Sequence, residues 1–164
     1  MPNRVDVCGS EFTEEGNRLA NGLAVVLDYL KLEDVGLSLM LTGHEETRSL
    51  NSTWRAREET TDVLSFPQQE AGEEIHKGAL LGDIVLNVER GREQADARKH
   101  SLQAELDILA IHGLCHLLGH DHKTQEGAEK MAAVENELLR VMSGAGDASM
   151  GLIELTRGEG SYTG

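Results

Sequence analysis

The sequence predicts an α+β fold: a small mixed β-sheet with helices packed on it. Three observations lead there. Strand-like segments gather in the first 88 residues, and three helical patterns follow one another after them. The chain has 164 residues with 39% apolar side chains, enough for one core and one domain. At this length a domain buries roughly 70% of the surface its unfolded chain exposes, so it needs no disulfide staples. Its two cysteines, Cys8 and Cys115, make no disulfide framework.

Taken in order, Val5 and Val7 mark a short first strand. Thr13 reads as an N-cap, with Glu14 and Glu15 in the first turn of a helix ending near Tyr29. Leu19, Leu23, Val26, Leu27 and Leu30 recur at helical spacing along it. Residues 36–42 (GLSLMLT) form a strand pattern, 45–53 a short helix, and RAREETT a polar loop. Residues 62–66 (DVLSF) read as a strand stopped by Pro67, and QQEAGEEIHKG as an exposed loop. Residues 79–88 make the strongest strand, with a bulge at Gly82. Helices are expected over 89–99, 101–118 and 124–142. The chain thus divides into a single catalytic domain, 1–142, and a tail, 143–164, holding 6 of the 18 glycines. No apolar run approaches the roughly 20 residues that span a bilayer, and MPNRVDVCGS lacks the apolar stretch of a signal peptide. A cytoplasmic protein with no membrane partner is the expectation.

The net charge of −14 opposes a broad nucleic-acid footprint. The charge is uneven, however. Residues 48–100 hold 8 of the 15 basic side chains against 10 acidic ones, whereas each flank is six charges negative. A local basic surface can therefore draw on Arg48, Arg55, Arg57, Arg90, Arg92, Arg98 and Lys99.

The chemistry lies in residues 111–122 (IHGLCHLLGHDH). His112 and His116 are four apart within an apolar helix, about 40° apart around its axis, so both imidazoles can face one ion. Gly119 can end the helix with a left-handed residue, letting the chain reverse and His122 return to that ion. The pattern H-x-x-x-H-x-x-G-x-x-H is a metzincin-like zinc helix and turn. Three imidazoles with an open fourth position suit catalytic rather than structural Zn2+, one ion per chain. His120 competes with His122 if the helix continues, and Gly119 favours His122. Cys115 reads as a small packing residue, and His44, His76 and His100 as surface residues. Gly113 stands where H-E-x-x-H peptidases carry their general base. Glycine moves no proton, so phosphodiester hydrolysis fits this set better than peptide hydrolysis.

The stretch HGLCHLLGHDH at 112–122 resembles the signature of the YbeY family of bacterial endoribonucleases. LNSTWRAREETTDVLSFP at 50–67, LLGDIVLNVERGREQA at 80–95 and a following helix with Met131 and Glu135 agree in order and spacing. The likeness spans about residues 5–142. It implies a zinc-dependent, single-strand-specific endoribonuclease acting in small-subunit rRNA 3′-end maturation and ribosome quality control. It maps His112, His116 and His122 onto zinc ligands and Arg55 onto the arginine that would hold a scissile phosphate. The chain departs from the family pattern at His120, usually Tyr, and at Arg55 to Glu58, R-A-R-E in place of R-G-K-D. Asp83 can orient a metal-bound histidine or cap the Gly82 bulge, and Met131 is expected to pack. The acidic balance opposes tight autonomous RNA binding, and with it the resemblance implies recruitment to single-stranded rRNA at the small ribosomal subunit, through a ribosomal protein or an Era-like GTPase. The alternatives are a metallopeptidase of metzincin type and a noncatalytic zinc-containing ribosome-assembly factor.

Overall fold

A computed structural model describes residues 3–8, 12–45, 49, 63–67, 75, 78–120 and 123–143. The elements are β1 (Arg4–Cys8), α1 (Thr13–Tyr29), β2 (Gly36–Thr42), β3 (Val63–Pro67), β4 (Leu80–Asn87), α2 (Val88–Arg98), α3 (Leu102–Leu117) and α4 (Gln125–Ser143). The expected α+β class holds. Among the described residues, one four-stranded sheet runs in the order β1-β2-β4-β3. β1, β2 and β4 are parallel, and β3 is antiparallel to β4. No helix among these residues is long and apolar enough to cross a membrane.

Three local expectations are corrected. Helix α1 begins at Thr13, so the cap is Phe12, which is left-handed and makes no side-chain cap bond. Pro67 belongs to β3, pairing with Gly82, instead of ending the strand before it. Among the described residues β3 lies on the sheet edge with no ladder partner on its outer side, where proline is tolerated. His100 is not a surface residue: its side chain is 11% exposed and lies against buried Glu105. The bulge is where glycine marks it. Gly36 pairs with Leu80 and Leu37 with Gly82, leaving Leu81 as the extra residue. The short helix expected over 45–53 falls mostly outside the described residues, as does the tail from 144.

Helix α3 occupies the middle of the core. From Glu105 to Cys115 every residue is buried, and Leu106, Ile108, Leu109, Ala110, Ile111, Leu114 and Cys115 are at 0% exposure. Each such leucine or isoleucine contributes roughly 1.5–3 kcal/mol by leaving water. Gly113 presses on the sheet: a Cβ there would stand 3.0 Å from Ile84 Cγ2 and 3.4 Å from Ser65 Oγ. Close approach of helix and strands therefore requires a residue without a side chain. The same contact places Ile84 on the helix-bearing face, so its neighbour Asp83 turns to the opposite face of β4.

Candidate metal centre

Two caps set the span of α3. Ser101 Oγ accepts the Ala104 backbone N–H at 3.0 Å and starts the helix. Gly119, at φ +97°, ends it. The Gly119 N–H donates to the His116 carbonyl and the His120 N–H to the Cys115 carbonyl, both at 3.0 Å. This double closure is the Schellman motif, and it bears out Gly119 as the helix stop. A Cβ on Gly119 would meet no heavy atom within 4 Å, so backbone conformation alone calls for glycine. His120 follows the stop and does not continue the helix.

His112 and His116 face each other from successive turns. Their Nε2 atoms lie 3.2 Å apart, with ring centroids 4.7 Å apart and ring planes at 86°. His112 is buried and His116 half-buried. On the far side of His112, Nδ1 lies 2.7 Å from Glu135 Oε2, a contact whose side chains are 5% and 6% exposed. Facing an ionised carboxylate, which only accepts, this geometry calls for the proton on Nδ1 and leaves the Nε2 lone pair toward His116. The pair fits a metal ion. Two imidazole nitrogens on a tetrahedral zinc, each at about 2.0–2.1 Å, stand about 3.3 Å apart.

His112 and His116 are therefore brought together as the spacing predicts. Among the described residues no three His, Cys, Asp or Glu side chains converge to complete a metal site. His122, the expected third ligand, and Arg55, the expected phosphate-binding residue, lie outside the described residues, with Arg48, Arg57 and His76. In sequence, His122 falls between the two helices that carry the pair and its carboxylate.

The carboxylate on His112 is Glu135 of α4, not Asp83. Sequence reasoning placed Glu135 in a matching segment without giving it a role. A signal was present: on α4, Met131, Glu135 and Leu138 share one buried stripe, and a lone acid there needs a partner. Met131, 2% exposed, and Cys115 pack in the core as expected. His44 is partly exposed and sits 3.0 Å from Glu93 Oε2.

The four described members of the expected basic set, Arg90, Arg92, Arg98 and Lys99, do not surround the histidines. Arg90 and Arg98 pair with Glu93 and Glu105, and Arg92 and Lys99 are exposed. All four belong to α2 or its C-cap, and α2 packs through Gly91 against Leu102, Leu106 and Leu109. That is the N-terminal half of α3, whereas the histidines occupy the other half. Any positive surface beside them must come from elsewhere in the chain.

Comparison with known proteins gives a consistent result. The family model for endoribonuclease YbeY matches residues 10–143. The endoribonuclease YbeY of Thermus thermophilus is 42% identical over 122 residues, covering 74% of this chain and 87% of that protein. The Aquifex aeolicus protein of the same name is 38% identical over 144 residues, covering 87% and 94%. That of Bacillus subtilis is 37% identical over 142 residues, covering 82% and 90%. The solution structure of a Thermotoga maritima protein shares the fold, with a TM-score of 0.65 at 22% identity over 99% of this chain and 98% of that one. By the length of the family match and by this identity to full-length relatives, the chain belongs to the endoribonuclease YbeY family.

Proposed function

We propose that this chain is a zinc-dependent, single-strand-specific endoribonuclease of the cytoplasm. In this reading it acts in 3′-end maturation of small-subunit rRNA and in ribosome quality control, and residues 1–142 are its catalytic domain. The observation that carries the proposal is the pair His112–His116, with Nε2 atoms 3.2 Å apart and Glu135 held behind His112. His112, His116 and His122 would hold one zinc ion. Bound there, zinc supplies a water acidified to a pKa of about 7 and polarises a phosphoryl oxygen.

The chain's own residues do the rest. His112 is held by Glu135 and His116 lies on the next turn of the most buried helix, so the fold itself orients both rings. Arg55 would grip the scissile phosphate through two parallel N–H donors and offset charge that grows in the transition state. The acidic whole chain makes free RNA binding weak and salt-sensitive, which favours delivery by a ribosomal protein or an Era-like GTPase. Position 113 supports a nuclease over a metallopeptidase. It faces Ile84 and Ser65, and a glutamate there would drive into the sheet. A noncatalytic assembly factor would need a closed ligand set.

Zinc-loaded protein incubated in parallel with fluorogenic single-stranded RNA and with casein separates these readings. RNA cleavage alone is expected. Casein cleavage, or neither activity, would overturn the nuclease reading. Arg55→Ala should retain zinc and melting temperature yet cleave RNA about 10²–10³-fold more slowly, with poor rescue by Arg55→Lys. Unchanged cleavage in both variants removes Arg55 from the mechanism. His122→Ala should lose zinc and His120→Ala should keep it. In cells lacking the protein, rRNA end-mapping should show unprocessed small-subunit 3′ ends that wild type rescues.

A further inference from the structure

The buried stripe of α4 contains Met131, Glu135, Leu138 and Leu139. One carboxylate among these apolar groups is unfavourable unless it is hydrogen-bonded, and a leucine at 135 would be the ordinary residue for such packing. Its contact is His112 Nδ1, 23 residues earlier in the chain and on a different helix. That contact decides which nitrogen of His112 bears the proton. With Nδ1–H donated to Glu135, the unprotonated Nε2 points to the space it shares with His116 Nε2.

We propose that Glu135 is a positioning residue for the metal centre. It holds His112 in the Nδ1–H tautomer, fixes the ring so that Nε2 and His116 Nε2 converge, and makes metal affinity depend on the docking of α4 against α3. The proposal rests on the reading of His112 and His116 as ligands. Glu135 touches neither substrate nor the reacting atoms; it acts through His112. Carboxylates behind a ligating imidazole sharpen its orientation and basicity, and their loss typically weakens metal binding 10–100-fold.

The test measures Zn2+ affinity by chelator competition on the full chain, in wild type, Glu135→Gln and Glu135→Ala. Nitrogen-15 NMR of the histidine rings in the metal-free proteins reads the tautomer directly, and thermal melting of the metal-free proteins reports folding. Zinc Kd should rise 10–100-fold in Glu135→Ala, and less in Glu135→Gln, whose amide oxygen can still accept. Metal-free wild type should show His112 protonated at Nδ1, and Glu135→Ala should lose that preference. Should Glu135→Ala fail to fold, Glu135→Gln carries the test: several-fold weaker zinc binding supports the proposal. Wild-type affinity in a folded variant, or a metal-free His112 protonated at Nε2, overturns it. Zinc-binding wild type beside an unaffected variant sinks this proposal alone. Wild type that binds no zinc sinks the metal-centre reading and this proposal with it.

Discussion

The two ends of α3 carry the same pair of side chains with different consequences. At the N-terminal end His100 Nε2 meets Glu105 Oε1 at 2.7 Å; at the C-terminal end His112 Nδ1 meets Glu135 Oε2 at 2.7 Å. Both carboxylates are buried. At the first end Glu105 also faces Arg98 Nη1 at 3.7 Å, so the carboxylate is the hub that joins the end of α2 to the start of α3. At the second end the hub is the imidazole, whose other nitrogen faces a second histidine. A histidine–glutamate contact alone therefore says nothing about chemistry. What the remaining nitrogen faces is what sets the two ends apart.

Substitutions at each end test that distinction. The largest effect is expected for His116→Ala, which should reduce zinc stoichiometry to near zero. Its RNA cleavage should fall below about one hundredth of wild type, because losing a ligand exceeds the 10–100-fold loss of a supporting carboxylate. His100→Ala, assayed beside it by metal analysis, should keep about one zinc per chain; equal loss in both would erase the contrast. Glu105→Ala should lower stability by about 3 kcal/mol in denaturant unfolding, since it strands His100 and Arg98 beside a buried gap. Its zinc affinity should match wild type. Gly119→Ala forces a left-handed backbone on a residue with a Cβ, and about 1–2 kcal/mol of destabilisation should appear in the same assay.

The smallest effect is expected between the two ends. Gly113→Ala gains about 1 kcal/mol of helix propensity. It loses roughly 2 kcal/mol by pressing a methyl against Ile84, which lies fully buried and has little room to yield. A net loss near 1 kcal/mol in thermal or denaturant melting is the outcome expected. A stabilised variant would show that the sheet can move away from the helix.

Much of this was legible before the structure. The apolar periodicity places α1 and β2 to within one residue, and the Gly119 stop follows from a single residue type in a helix-ending context. Errors came where a distant or folded-back partner reverses a local signal. His100 sits in a polar run, yet Lys99 turns left-handed there and carries it back onto Glu105. Glu135 looks like one more charge on a charged helix until α4 lies against α3, since its contact spans 23 residues of chain. Pro67 reads as a terminator because a sequence does not say which strand is at the edge.

The unbroken burial of α3 from Glu105 to Cys115 has a kinetic consequence. Amide hydrogens in a segment buried without a break should exchange with solvent only when the whole domain opens, and not by fraying. His112 lies within that segment and His116 immediately after it, so both should belong to the slowest-exchanging unit of the molecule. Under the proposed zinc reading, an ion that binds only the folded chain raises the free energy of that opening, so restoring metal after a chelator should slow the α3 amides as a group while they remain the slowest set. Under the same reading, the ion would leave and return without the helix that holds it unfolding.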